Sequence, residues 1–524
     1  MNEDLIDKLE STGRLVEGKA AIEDLLSQDT SNAEAWFALF LICIRLREKK
    51  SALKAINKYL EIDKNSPIAW MNKGNLLFEL KNYYEALDCF KCSLNLNSKT
   101  SIVYSNQANC LLALNRYEDA IESCDAAISL DPQNRDGWMN KANALFKIDQ
   151  LEEAEVNART AIAVSPNTPE PWINLGRILN GKNLDSEAIS CYENALSIKP
   201  NFSQSLINLG FSYSRLGKTE LAIKAYESAA QNNPTLSSGA LWNTGLIYLA
   251  SGKFLKGWEL YESRWGMDEF QLQKINTSSP RLRDLNLIEG KKILVYAEQG
   301  LGDSIQFCRY LKDLENLGAE VIFLVQKPLL KLFQNLSGVS KLTTIESILP
   351  AHDFQIPLLS LPGIFKTTLS TIPLSKAYLT AEQSRIEYWK KKFFRESYFN
   401  IGISWQGSHG TEIDRGRSFN VSLFESISQL PNVRLISLQK GYGSEQLQNL
   451  PNGMNVLELG DELDADGAFL DTAAVIKNLD LVISSDTAIA HLAGALGVKT
   501  WVALKFVPIG AGCWIDLIHL GIHL

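Results

Sequence analysis

A period of 34 residues governs the first half of this chain. Trp36, Trp70, Tyr104, Trp138, Trp172 and Leu206 recur at that interval, and Ala52, Ala86, Ala120, Ala154, Ala188 and Ala222 each follow sixteen positions later. Pro132, Pro166, Pro200 and Pro234 close four units at one phase, and Phe90, Tyr192 and Tyr226 follow three of the alanines by four. Such a period excludes a single layered core, because it calls for one small unit stacked on copies of itself. The residue types specify helix–turn–helix. A large side chain fills a gap between helices, a small alanine lets two helices approach, and a proline, lacking an N–H, stops the second helix.

The pattern resembles the tetratricopeptide repeat, W-x2-L-G…A-x3-F…P, as in Trp172, Leu175, Gly176, Ala188, Tyr192 and Pro200. Six units are in phase. A seventh, modified unit runs from Leu241 to Trp265; it keeps Asn243 and Gly245 but has Gly257 at the alanine position and no closing proline. An atypical unit is expected where a solenoid is capped or docked, and residues 1–31 read as the cap at the other end. Asn72, Asn106, Asn140, Asn174 and Asn208 stand two residues after the large position. At about 100° per residue they fall nearly opposite the packing stripe, on the face that lines the superhelix groove. A ladder of amides there could hold an extended peptide backbone, since each offers a donor and an acceptor. The alternative is that Asn is only a soluble choice at that position.

After a linker, residues 266–289, the period changes. KKILVYA, AEVIFLV and FQIPLLSL read as strands of one block; FNIGISW, VRLISLQ, DLVISS and KTWVAL read as strands of another. Helix-like stretches separate them. Apolar strands alternating with helices indicate parallel α/β sheets, here twin Rossmann-like lobes over 290–385 and 386–524 with a cleft between them.

The first lobe opens with AEQGLGDSIQF, a strand, a glycine loop and a helix. Gly300 and Gly302 resemble a dinucleotide fingerprint, but Ile305 takes the place of the third glycine, which argues against NAD. The two glycines would let substrate approach the backbone. Asp303 reads first as a helix N-cap; a carboxylate at the cleft edge could also take a proton from an acceptor hydroxyl. In the second lobe, Asp486 and Thr487 start a helix whose N–H groups suit a diphosphate, and His491 lies one turn deeper on the same face. Lys440 follows the strand RLISLQ, at the carboxyl end where α/β ligands bind.

AEQGLGDSIQFCRYL, ISWQGSHGTEIDRGRSF, SLQKG and SDTAIAHLAGALGVKTWVAL, in that order, resemble the heptosyltransferase-like (family 9) glycosyltransferases, and more closely bacterial proteins that fuse such a domain to tetratricopeptide repeats. The fold this implies is an α-solenoid followed by an α/β two-lobed glycosyltransferase of GT-B type. The resemblance implies that Asp303 is the catalytic base and that Asp486, Thr487 and His491 contact the donor diphosphate and sugar. It also implies that Ser404 and Lys440 line the donor pocket. The architecture is similar to protein O-linked N-acetylglucosamine transferases as well, where repeats present polypeptide to a two-lobed transferase. Asp464 and Asp466 are similar to a metal-binding pair of another glycosyltransferase fold; enzymes of this type work without metal, so the pair reads as surface loop and no cofactor is expected beyond a nucleotide-sugar co-substrate.

A net charge of −8 and the lack of a basic stripe argue against nucleic acid. Lys390, Lys391 and Lys392 read as a solvated helix face, and Cys89 and Cys92 as thiols without a second pair to complete a zinc site. MNEDLIDKLEST lacks the apolar core of a signal peptide, and no run reaches the roughly 18 apolar residues of a membrane span. A cytoplasmic protein is the expectation, with protein or peptide partners through the groove. The tail from about Ile509, IGAGCWIDLIHLGIHL, departs from the family, and permissible codons let the adjacent frame read DWRWLLDRSDSPWYPS; a frameshift there is the expectation. The leading function is sugar transfer from a nucleotide diphosphate donor to a hydroxyl. The alternative is a non-catalytic repeat scaffold with a degenerate transferase domain.

Overall fold

The computed structural model describes residues 3–97, 99–373, 377–394, 397–407 and 417–504. The frameshift expected near Ile509 lies outside the described residues. The chain divides into two compact units, Met1–Ser212 and Tyr213–Leu524.

In the first unit the period becomes antiparallel helix pairs, such as Pro67–Glu79 with Tyr83–Leu96 and Pro169–Gly181 with Asp185–Ile198. Ala52, Ala86, Ala120, Ala154 and Ala188 are fully buried, as a close helix approach demands. The glycine of the W-x2-L-G pattern has the same cause. A Cβ on Gly74 would lie 2.7 Å from the Phe90 ring, and one on Gly176 would lie 2.5 Å from the Tyr192 ring. The tryptophans also lock the loops. The indole N–H groups of Trp36, Trp70, Trp138 and Trp172 donate to the carbonyls of Thr30, Lys64, Pro132 and Pro166, six residues back, at 2.9, 2.9, 3.0 and 3.1 Å. A half-buried aromatic with one polar handle thus staples each inter-repeat turn.

A second regularity is in the backbone. Arg47, Lys81, Asn115, Asp149 and Asn183 all have φ between 58° and 65°, one per repeat, where the first helix of each pair ends. Gly217 and Gly252 take the equivalent turns with φ of 69° and 76°. Those are the positions where a chain reversal after a helix favours glycine.

The second unit contains a last repeat-like hairpin, α1 (Pro234–Ala250) and α2 (Phe254–Tyr261), continued by a 3-10 turn, Glu262–Gly266. Two parallel sheets follow. The first has strands β1 (Lys292–Tyr296), β2 (Glu320–Leu324), β3 (Lys341–Thr343) and β4 (Phe354–Pro357) in the order β3-β2-β1-β4. The second has β5 (Phe399–Ser404), β6 (Val433–Ser437), β7 (Val456–Leu457), β8 (Leu481–Ser485) and β9 (Thr500–Ala503) in the order β7-β6-β5-β8-β9. Every pairing is parallel. The short strands β3 and β7 have no counterpart in the sequence reading, because two or three residues carry no period.

The unit boundary falls well before residue 265, where the sequence pattern places the end of the repeats. The reason is packing: Trp242, Trp258, Tyr261 and Trp265 of the last hairpin share one apolar core with Ile293, Val295 and Phe307. Trp258 meets Phe307 edge-on, with ring centres 6.2 Å apart. Among the described residues, no helix is long and apolar enough to cross a membrane.

Two substitutions test this account of the repeats. Arg47→Gly relieves an exposed left-handed residue and is expected to raise the urea midpoint by the equivalent of about 1 kcal/mol. Gly176→Ala drives a methyl into the Tyr192 ring and is expected to lower stability by about 1–3 kcal/mol.

Candidate functional site

In open parallel sheets, ligands bind beyond the carboxyl ends of the strands, where the strand order reverses. In the first sheet that point lies between β1 and β4, and the loop leaving β1 is the glycine loop, which runs into helix α3 (Leu301–Phe307). In the second sheet it lies between β5 and β8. Ser404 ends β5, and β8 runs through Ser485 and Asp486 into Thr487, the residue before helix α6; the preceding helices of this lobe are α4 (Gln383–Phe393) and α5 (Leu470–Ile476), and α6 spans Ala488–Ala495. A cleft of about 680 Å³ brings together Gly300, Gly302, Asp303, Ser404, Lys440, Asp486, Thr487 and His491. These residues are up to 191 positions apart in sequence, from 300 to 491.

Asp303 is both a cap and a cleft residue. One carboxylate oxygen accepts the Gly300 N–H at 2.9 Å, closing the first turn of α3. Burial pushes its pKa up to about 6, with Asp486 and Glu298 adding to the rise, while His491 and the Gly300 N–H work against it. Burial lowers the pKa of His491, opposed by Asp486 and Asp303. Its Nε2 lies 3.9 Å from an Asp486 oxygen.

Gly302, which lines the cleft, also has a packing task. A Cβ there would stand 2.8 Å from His491 Cδ2 and 3.5 Å from the Ala488 backbone, so this glycine lets α3 meet α6 and seats the imidazole. Thr487 makes no side-chain cap to α6; its hydroxyl pairs with Ser484 at 3.1 Å.

On the facing wall Lys440 reaches the Leu463 carbonyl at 2.5 Å while lining the cleft. Ser404 donates to the Gln439 side-chain oxygen at 3.1 Å, and the same oxygen takes the N–H groups of Trp405 and Gln406 at 3.2 and 3.1 Å. The Gln439 amide nitrogen donates to the carbonyls of Gln406 and Tyr442. Gln439 is therefore the hub of this wall, and sequence reasoning passed it over in favour of the lysine beside it. Arg417 and Tyr442 also line the cleft and were not singled out. Arg417 lies within a segment that carries the family resemblance, 13 positions after Ser404, and no local pattern sets it apart. Asp464 caps α5, accepting N–H groups of Asp471 and Thr472 at 2.7 and 3.0 Å, and Asp466 pairs with Arg385 at 3.0 Å. Both aspartates are thus occupied by structural partners.

The asparagine ladder needs correction. Asn140 and Asn174 are buried, and their amide groups donate to the carbonyls of Ser105 and Met139 in the preceding repeat, at 3.1 and 3.2 Å. Asn106 donates to Asn75 at 2.9 Å. The preceding repeat packs on this face, so one N–H of each amide clamps repeat to repeat, while the Asn174 side-chain oxygen is buried without a partner among the described residues. Asn72 and Asn208 are half-buried, and the Asn208 amide nitrogen is a buried donor without a partner among the described residues.

Known proteins resemble the first half. Residues 67–99, 101–134, 169–202 and 191–224 match tetratricopeptide repeat families. The first half of the chain carries tetratricopeptide repeats. Protein FlbA of Caulobacter vibrioides is 27% identical over 300 residues, 52% of this chain and 48% of FlbA, so the match spans about half the length of that relative. Two solved structures are similar: YrrB, described as a tetratricopeptide protein with an unusual peptide-binding site (23% identity, 35% of this chain and 94% of that one, TM-score 0.28), and yeast Tom70 (19% identity, 50% and 57%, TM-score 0.42). At these scores the structural likenesses carry no argument beyond the helical repeat itself.

The raised pKa of Asp303 fixes the sign of a pH effect. Its carboxyl is neutral in both folded and unfolded chains at low pH; between about 3.8 and about 6 the unfolded chain ionises first, and stability falls. Asp303→Asn is expected to match wild type near pH 4 and to exceed it above pH 6, by on the order of 1 kcal/mol once water at the cleft mouth is allowed for. Calorimetric melting at the two pH values checks this.

Proposed function

We propose that the α/β part of the chain is a glycosyltransferase of the two-lobed GT-B type, using a nucleotide-diphosphate sugar and a hydroxyl acceptor. The observation that carries the reading is the meeting of Asp303, His491 and the start of α6 with Lys440 and Arg417 in one cleft at two strand-order reversals. The chemistry assigned to each follows from its place. The N-terminal end of α6 and the two cations accept the negative charge of the diphosphate. As the bond between the anomeric carbon and the phosphate oxygen breaks, its electrons go to the leaving diphosphate, which these groups stabilise. The acceptor oxygen bonds to the anomeric carbon and gives its proton to Asp303. A carboxylate with a pKa of about 6 is ionised at neutral pH yet more basic than an ordinary aspartate. His491, held neutral by burial, can donate one hydrogen bond to the donor.

The second reading is a protein-binding scaffold. What favours it is that the family matches fall on the repeats, which in general suggest protein–protein interaction. Under the first reading the repeats recruit a protein substrate or partner.

A melting-point panel of nucleotide sugars on the full chain separates the two. A donor at about a hundred times its dissociation constant should stabilise by roughly 2.7 kcal/mol and raise the melting point by a few degrees. Lys440→Ala is expected to weaken that donor at least about tenfold, as loss of a charge-assisted contact should. Asp303→Asn should keep the donor shift and lose turnover. A panel without any shift, or turnover unchanged in Asp303→Asn, would move the assignment to the scaffold.

A further inference from the structure

The glycine loop is held from outside the α/β lobes. Gln299, immediately before Gly300, has φ of 63°, the sparsely populated left-handed region for a non-glycine residue, and it lies between β1 and α3, where no helix end calls for that turn. Two contacts impose it. The Gln299 amide donates to the Tyr261 hydroxyl at 2.7 Å, and its carbonyl accepts from Gln326 at 3.4 Å. Tyr261 is the last residue of α2 and is fully buried.

One residue earlier in the loop stem, Glu298 is buried and forms a two-bond fork with Arg264, at 2.8 Å from Nη2 and 3.3 Å from Nε. Arg264 has no exposed surface and belongs to the 3-10 turn that continues the last hairpin. Its guanidinium lies over the rings of Tyr261 and Trp265, at 4.3 and 4.7 Å from their centres. The seventh repeat therefore ends in a buried clamp closed on the two residues that precede the glycine loop.

We infer that Tyr261 and Arg264 are positioning residues for Asp303, so that the last helical hairpin of the repeat array sets the geometry of the cleft. Their catalytic meaning rests on the proposed transferase reading; their effect on the loop does not. The chain of contacts is short: Tyr261 to Gln299, Gln299 to Gly300 through one peptide bond, and the Gly300 N–H to Asp303. The seventh unit retains Gly245 and has Gly257 at the alanine position, and both serve close packing here. Its Gly245 faces the Tyr261 backbone, where a Cβ would come within 2.9 Å, and Gly257 allows equally close approach to Leu249. The hairpin is tightened where it holds the loop.

The test reads Asp303 directly. Chain uniformly labelled with 13C at aspartate carboxyls is titrated by NMR, with the Asp303 signal assigned from its loss in Asp303→Asn. The groups facing Asp303 are His491 and Asp486 from the second lobe, Glu298 and the Gly300 N–H from the loop, and Tyr261 from the hairpin. Tyr261→Phe removes one hydroxyl and keeps the ring. It is expected to loosen the Gly300 N–H bond to Asp303, which holds the pKa down, and so to raise its titration midpoint by at least about 0.5 pH units. Gln299→Ala, the other end of the same bond, should give a similar shift, and the double variant should go no further than either single one. Tyr248→Phe, elsewhere in α1, should leave the midpoint unchanged. An Asp303 midpoint equal to wild type in both Tyr261→Phe and Gln299→Ala would overturn the inference, as would shifts that simply add. Failure of every nucleotide sugar to bind would count against the transferase reading and leave this result standing.

Discussion

The buried pair between Arg264 and Glu298 is the contact on which the second unit depends. Neither side chain has exposed surface, so both charges have left water, and such a transfer is tolerated only with close geometry and further hydrogen bonds. Both are present. The Leu359 N–H also reaches Glu298 at 3.1 Å, and Ser360 accepts from Arg264 at 2.9 Å, so the fork joins the hairpin to β1 and to the turn after β4. Burial works against the charge of Arg264, yet Glu298 and its neighbours more than offset this, and the pKa is raised. Removing one partner alone would leave a buried, uncompensated charge, the costly case. A repeat unit fastened in this way behaves as part of the α/β body, and the compact unit accordingly begins at Tyr213.

That fastening sets the electrostatics of the cleft. Asp303, Asp486 and His491 meet on one side, with Lys440 and Arg417 on the other walls. An arrangement of this kind separates the two tasks of a group transfer. Under the proposed transferase reading, the Asp303 carboxylate, whose pKa is raised, takes the proton, while the cations and the start of α6 face the leaving anion. Gly302 matters here for packing. It brings His491 against α3, so the first lobe's loop and the second lobe's helix share one surface.

Much of this was legible in the sequence, for reasons that differ by element. The 34-residue period survives because the tryptophans, glycines and alanines each meet the same steric demand in every repeat. The parallel sheets were legible in continuous apolar strands, and the cleft residues in motifs that sit at strand ends by necessity. Other features depend on contacts without a local pattern. Asn140 and Asn174 sit at the expected positions, but only the packing of the preceding repeat decides that their amides clamp backbone. Gln439 looks like any polar residue after a strand until five groups converge on it. Arg264 has no local pattern in ESRW to mark it, and its burial against Glu298 is set by a residue 34 positions on.

The most direct test of the account is hydrogen exchange on the full chain with a saturating nucleoside diphosphate, using the uridine, adenosine and guanosine forms in turn. With at least one of them, the expected result is slowed exchange confined to the segments around 438–442 and 484–491, where the cations and the start of α6 meet the diphosphate. Unchanged exchange at those segments with all three nucleotides, or slowing confined to the repeats, would contradict the placement of the donor in this cleft.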